Sequence, residues 1–146
     1  MLFDILEVLY NLYVSHLQDS NALYNYHVLL FEYAILHSCG YYRDIIEDII
    51  DDMKFDGRHS YEDKIVPVEV AYKELKQKIA VLGGLDIDFL SRAQPEKIYQ
   101  RAKDILSLTK HHGAYALGSG NSVPDYISND NYLAMLKAAY DMGELS

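Results

Sequence analysis

The sequence is poor in cysteine and in positive charge, and each shortage excludes a class of protein. Only one cysteine, Cys39, occurs among the 146 residues, so an internal disulfide is excluded and a reducing compartment is favoured. The 13 Lys and Arg residues stand against 22 Asp and Glu residues, giving a formal net charge of −9. Phosphate backbones bind basic surfaces, and we therefore expect no nucleic-acid partner.

Basic residues are also missing from the first part of the chain, where Arg43 is the first to occur. The sequence therefore lacks the charged start of a secretory signal and the Arg-rich composition of a transit peptide, which predicts a cytoplasmic location. Acidic residues such as Asp4, Glu7 and Glu32 interrupt the apolar stretches. None of these stretches reaches the roughly 20 residues that a membrane helix needs, and we expect neither a membrane span nor a membrane partner.

Half of the chain is apolar, and its pattern predicts an α/β protein. Residues 1–32 have helical spacing and predict an N-terminal helical segment. From residue 33 onward, short apolar strands alternate with helical segments four times, which is typical of a parallel sheet. The predicted strands are Tyr33–Leu36, Lys54–His59, Ile79–Leu82 and Ala114–Leu117. The predicted helices are 43–53, 68–76, 87–108 and a closing helix that runs from a cap at 128–130 through Tyr140.

The third strand organises this arrangement, because its continuous aliphatic run predicts burial on both faces of the sheet. Right-handed crossovers place the carboxyl ends of parallel strands at one edge. That edge collects the polar residues His37, Cys39, His59, Asp86, Ser119 and Asn121. We predict catalytic roles for His59, Asp86 and Ser119, because imidazole and carboxylate groups suit acid–base work on a polar substrate. The alternative for Asp86 is a helix cap or loop brace.

The His37-x-Cys39 pair offers two soft ligands for a metal ion. A catalytic zinc site uses three protein ligands and one open position, and His59 or Asp86 would supply the third ligand. The alternative is that Cys39 is a small buried residue and His37 a hydrogen-bonded histidine.

A second polar segment, Gly-Ser-Gly-Asn-Ser at 118–122, follows the last strand. Its backbone N–H groups suit an anion, and we therefore predict that Gly118, Gly120 and Asn121 bind substrate. The segment lacks the lysine of a phosphate loop. Leu117 also breaks the Gly-x-Ser-x-Gly pattern of a hydrolase, so we do not expect a hydrolase triad.

Four of these segments, together with the closing helix, resemble one known family. They are HSCG (37–40), FDGRHSYED (55–63), AVLGGLDIDFL (80–90), YALGSGNSVPDY (115–126) and NYLAMLKAA (131–139). Over residues 33–142 the chain is similar to the C-terminal half of the uroporphyrinogen decarboxylase family. That family also contains the methyltransferases that move methyl groups from corrinoid proteins to thiols.

The resemblance implies a (β/α)8 TIM barrel, of which residues 33–146 would form the last four strand-helix units. Decarboxylases of this family place arginines and a carboxylate in their N-terminal half, and residues 1–32 contain no arginine. We therefore expect a homo-oligomer or a companion chain that supplies an N-terminal half. The implied substrate is a tetrapyrrole, or a methyl group carried by a corrinoid protein.

Three functions follow from the resemblance. The first is decarboxylation of porphyrinogen side chains in porphyrin biosynthesis, which needs no cofactor. The second is methyl transfer, which implies zinc; here Ser119 stands where those methyltransferases have a cysteine and the decarboxylases a histidine. The third is an inactive half-barrel with a structural or partner-binding role.

Overall fold

The structure, a computed structural model, describes residues 33–111 and 113–144. These residues form one parallel sheet whose four strands lie in the order of the sequence. The strands are β1 (Ile35–His37), β2 (Gly57–His59), β3 (Ala80–Leu82) and β4 (Tyr115–Ala116). Four parallel strands that alternate with helices confirm the predicted α/β fold, which is part of a (β/α)8 barrel. The N-terminal helices predicted within 1–32 lie outside the described residues.

Among the described residues, four α-helices accompany the sheet: α1 (Val68–Leu75), α2 (Ile87–Arg92), α3 (Pro95–Thr109) and α4 (Asn129–Glu144). The single helix predicted over 87–108 is wrong, because α2 and α3 are separate. Ala93 and Gln94 are extended, with ψ of 157° and 150°. The ring of Pro95 disfavours helical backbone at the preceding residue, whereas proline itself suits the first turn of α3.

The predicted amphipathic helix at 43–53 is helical but irregular. It consists of a 3-10 turn at Arg43–Ile45 and a π-helix at Asp48–Asp52. Its β-branched isoleucines and the acidic residues in its last turn both weaken a regular α-helix. Ile49 is buried, but Ile45 is exposed, so the predicted isoleucine face is only partly covered.

Left-handed backbone excludes the predicted first residue of two strands. Lys54 has φ of 60° and Ala114 has φ of 54°, whereas extended backbone requires negative φ. The observed strands are shorter than predicted: β2 begins at Gly57, and β4 begins at Tyr115 and ends at Ala116.

The two faces of the sheet differ in burial. Val81 of β3 is fully buried with the helices, whereas Ala80 and Leu82 on the opposite face are half-buried. Ile35 of β1 shares this second face and is 57% exposed. The predicted burial of β3 on both faces is therefore wrong, because the described residues cover only one face completely. We call the second one the open face.

No helix among residues 33–111 and 113–144 combines the length and the apolar character needed to cross a lipid bilayer.

Candidate functional site

Two histidines at the carboxyl ends of β1 and β2 lie side by side on the open face. His37 and His59 are register partners, and such partners project from the same face of a parallel sheet. Their Nδ1 atoms are 2.7 Å apart and their ring centroids 4.8 Å apart. This separation is that of a hydrogen bond, in which one ring donates and the other accepts.

The carbonyl oxygen of Ser119 determines the direction of that bond. His59 Nε2 lies 2.9 Å from it, and because a carbonyl only accepts, Nε2 carries the hydrogen. Burial lowers the pKa of His59; the Ser119 hydrogen bond opposes this shift, while the charges of His37 and Arg58 add to it. His59 is therefore neutral at pH 7 and accepts at Nδ1. We assign the donated hydrogen to Nδ1 of His37, which leaves Nε2 of that ring to act as an acceptor.

The thiol of Cys39 lies between an acceptor and a donor. Its Sγ is 3.7 Å from Nε2 of His37, and Nδ2 of Asn121 donates to it over 3.2 Å. Asn121 also donates to Oε1 of Glu62 at 3.0 Å. His37 is thus placed to take the thiol proton, and Asn121 to stabilise a negative sulfur. Cys39 is exposed, so the alternative of a buried structural cysteine is wrong, whereas the hydrogen-bonded His37 is confirmed.

We use the name rim cluster for the linked residues His37, Cys39, His59, Ser119 and Asn121. Their edge is the one where barrel enzymes carry their active sites. The sequence predicts each of these positions, because each follows or ends a predicted parallel strand.

Gly83, which is not among the predicted site residues, makes room for the ring of His59. Its φ of +92° is a conformation that side chains disfavour. A Cβ at this position would lie 2.7 Å from Cδ2 of His59 and would also collide with the carbonyl oxygen of Ser119. The Gly-Gly pair after a buried strand is the signal that marks such a close approach of backbone and side chain.

The loop after β4 is tied to the chain after β3. Leu85 donates from its N–H to the Gly118 carbonyl at 3.0 Å, and Gly120 donates back to the Leu85 carbonyl. The Ser119 hydroxyl donates to the Asn121 carbonyl at 2.7 Å. The N–H of Gly120 is therefore engaged within the protein. The predicted substrate-binding roles of Gly118, Gly120 and Asn121, and the catalytic role of Ser119, stay predictions.

Asp86 uses both carboxylate oxygens on backbone groups. Oδ1 accepts from the N–H groups of Asp88 and Phe89 at 2.8 and 3.3 Å, which caps α2. Oδ2 accepts from the N–H of Asp63 at 3.1 Å. The alternative of a helix cap and loop brace is thus confirmed. None of these three hydrogen bonds reaches the rim cluster, and the catalytic role of Asp86 stays a prediction.

The rim cluster contains two side chains, Cys39 and His37, of the kinds that bind zinc. Tetrahedral zinc places its sulfur and nitrogen ligands about 3.6 Å apart, close to the 3.7 Å between Sγ of Cys39 and Nε2 of His37. His59 contacts the opposite nitrogen of His37, and Asp86 is engaged in its cap. In the part of the chain that the structure describes, no three His, Cys, Asp or Glu side chains could hold a metal ion together. The described residues therefore do not complete a zinc site.

A comparison with protein families agrees with this architecture. The sequence model of the family "Uroporphyrinogen decarboxylase (URO-D)" matches residues 21–142. The chain belongs to the uroporphyrinogen decarboxylase family. Among curated proteins, none matches the chain.

The fold of this uroporphyrinogen decarboxylase family member also occurs in a solved structure, a methyltransferase from Methanosarcina mazei. The two superpose with a TM-score of 0.59 at 24% sequence identity, over 76% of this chain and 32% of the methyltransferase. At this identity the likeness shows the fold alone. The chain spans about a third of the structure that it matches.

Proposed function

We propose that the rim cluster is a methyltransferase-type site at which the sulfur of Cys39 meets a methyl group. The observation that carries this proposal is the placement of an exposed Cys39 sulfur between Nε2 of His37 and Nδ2 of Asn121. A methyltransferase shares the fold, and the family contains corrinoid-dependent members. The implied methyl donor is accordingly a corrinoid protein.

The side chains support the following step. The thiol proton of Cys39 moves to Nε2 of His37, and the positive charge on that ring is balanced by the negative sulfur. His59 holds the ring of His37 through Nδ1, while Asn121 donates to the sulfur. The sulfur electron pair then forms the bond to the methyl carbon, and the bond from that carbon to the donor breaks with its electron pair left on the donor.

Decarboxylation of a porphyrinogen carboxylate is the second candidate, because the same hydrogen-bonded histidines can deliver a proton. Loss of CO₂ leaves an electron pair on carbon, which His37 would protonate as a general acid. A tetrapyrrole with several carboxylates also calls for cations, and the rim cluster contains no Lys or Arg. The lack of a cation among the residues of the rim cluster favours methyl transfer over decarboxylation.

Both candidates are tested on the full chain, purified without chelators. Methylcobalamin is the first probe, and mass spectrometry of the peptide that contains Cys39 is the readout. We expect methylation of Cys39 in the wild type, none in Cys39→Ser, and a rate lower by about tenfold in Asn121→Ala, since one hydrogen bond to a charged sulfur is lost. Asp104→Asn is the matched control, because Asp104 is an exposed residue of α3 that bonds Gln100.

One result of the methylcobalamin experiment would contradict the proposal. Equal methylation of the wild type, Asn121→Ala and the urea-unfolded chain would show an ordinary surface thiol. Uroporphyrinogen is the second probe, and release of CO₂ that depends on His37 but not on Cys39 would favour decarboxylation. Zinc, cobalt and iron are measured on the same preparation. A stoichiometric metal that is lost in Cys39→Ser would mean that a group other than the described residues supplies the third ligand.

A further inference from the structure

Arg58 is a fully buried arginine on the side of the sheet opposite the rim cluster. It lies in β2 between Gly57 and His59, and its relative exposure is 0%. Its guanidinium carbon is 4.0 Å from the ring centroid of Tyr42 and 4.9 Å from that of Tyr61. A cation at these distances is attracted to the faces of both rings, and arginine makes such contacts more often than lysine.

The two ends of the guanidinium reach two different strand ends. Nη1 donates to the Ser60 carbonyl at 2.7 Å, and Nη2 donates to the Ser38 carbonyl at 2.8 Å. Ser60 follows His59, and Ser38 lies between His37 and Cys39. The N–H of Ser38 in turn donates to the His59 carbonyl at 2.8 Å. The guanidinium therefore holds together the two backbone segments that carry His37, Cys39 and His59.

This buried charge is stabilised by neutral partners. Burial raises the pKa of Tyr61 to about 12, with Arg58 opposing the shift, and burial likewise raises the pKa of Tyr42. Both phenols are therefore uncharged at pH 7. Carbonyl dipoles and aromatic faces compensate the desolvation of Arg58 only while their geometry is kept. The cost of burying the charge is thus linked to the position of the Ser38 and Ser60 carbonyls.

We propose that Arg58 is a positioning residue of the rim cluster, which sets the spacing of His37, Cys39 and His59 from behind the sheet. The inference rests on the proposed function only in taking the rim cluster as the reacting site. Arg58 touches no reacting atom, and its effect passes through the two serine carbonyls.

Amide hydrogen exchange on the full chain tests this directly. The Ser38 amide reports on the joint between the two strand ends, and the Gly83 amide, which donates to the Ala116 carbonyl at 2.8 Å, reports on the neighbouring strand pair. We expect Arg58→Met to lower the protection of Ser38 by about tenfold or more relative to Gly83, the factor that loss of one charge-assisted hydrogen bond gives. The nitrogen–nitrogen coupling across the His37–His59 hydrogen bond should disappear in the same variant.

Val81→Ala is the matched control. Val81 is the register partner of Arg58 on β3 and is equally buried, so this variant loosens the same face of the sheet without touching either serine carbonyl. It should lower both protections together and keep the coupling. If Arg58→Met does not fold, Arg58→Lys takes its place, because lysine keeps the charge but cannot reach both carbonyls as a fork. Parallel losses at Ser38 and Gly83 in the arginine variant, with the coupling kept, would overturn the proposal, whatever the methyl-transfer assay shows.

Discussion

At the residue scale, the ring of His59 connects three strand ends, and Gly83 decides whether it fits there. Gly83→Ala should displace the ring and cost about 1–3 kcal/mol of unfolding free energy. Gly40→Ala is the matched control, since Gly40 has the same φ of +92° with no atom within 4 Å of a new Cβ. It should cost about 1 kcal/mol from backbone strain alone. Equal losses in urea denaturation would mean that the ring of His59 does not rest against Gly83.

Protonation of His59 provides a second prediction. Its pKa is lowered, first by burial, so well above the usual histidine pKa of about 6.5 the folded and unfolded chains are both neutral at this residue. As the pH falls below this value, the unfolded chain takes up the proton first and the free energy of unfolding decreases. Wild type should therefore lose more stability than His59→Gln between about pH 7 and pH 5. An NMR titration midpoint of His59 at or above the usual value would contradict this.

Single residues show how far the sequence reaches. The rule that parallel strands end at one edge correctly brings together His37, Cys39 and His59, although β1 and β2 have only three residues each. The same rule cannot decide whether Asp86 is a helix cap or a catalytic residue, because both roles place a carboxylate directly after a strand. No sequence pattern indicates that Arg58 supports the site, because its hydrogen bonds go to the backbone carbonyls of Ser38 and Ser60.

At the element scale, α2 depends on its cap. Asp86→Ala removes the bonds to the N–H groups of Asp88 and Phe89 and should cost about 1 kcal/mol, up to about 2 kcal/mol. Asp86→Asn keeps a capping oxygen and should cost only a few tenths of a kcal/mol. Thermal unfolding measures both variants. An Asn variant that keeps its stability but loses activity in the methylcobalamin or uroporphyrinogen assay would instead support the predicted catalytic role of Asp86.

Elements were predictable where periodicity and local signals agree. Pro67 and the apolar spacing after it correctly predict α1. The hydroxyl oxygen of Ser128 accepts a hydrogen bond from the N–H of Asn131 at 3.3 Å, as the predicted cap of α4 requires. Hydrophobic periodicity does not predict the break between α2 and α3, because the apolar spacing continues through it. Periodicity also does not predict the irregular helix at 43–52, because the side-chain pattern does not distinguish 3-10, α and π hydrogen bonding.

At the scale of the whole molecule, β1 and β4 each pair on one side only within the described sheet. Unpaired edges and an open apolar face favour association with further strands, and burial contributes roughly 25 cal/mol per Å². We predict that the purified chain forms a homodimer, or a complex with a companion half-barrel, in sedimentation experiments. Ile35→Lys should weaken this association, whereas Met53→Lys, at a similarly exposed position outside the sheet, should not. A folded monomer at micromolar concentration would contradict the prediction.

One hydrogen-bond chain runs from the Cys39 thiol through both imidazoles to the Ser119 carbonyl, and the assigned site depends on it. The most direct measurement is the long-range proton–nitrogen NMR spectrum of the histidine rings at neutral pH, which shows which nitrogen of each ring carries the hydrogen. The geometry predicts a hydrogen on Nδ1 of His37 and on Nε2 of His59, since the Ser119 carbonyl lies 2.9 Å from the latter. A hydrogen on Nε2 of neutral His37, or on Nδ1 of neutral His59, would contradict the chain and with it the basis of the site.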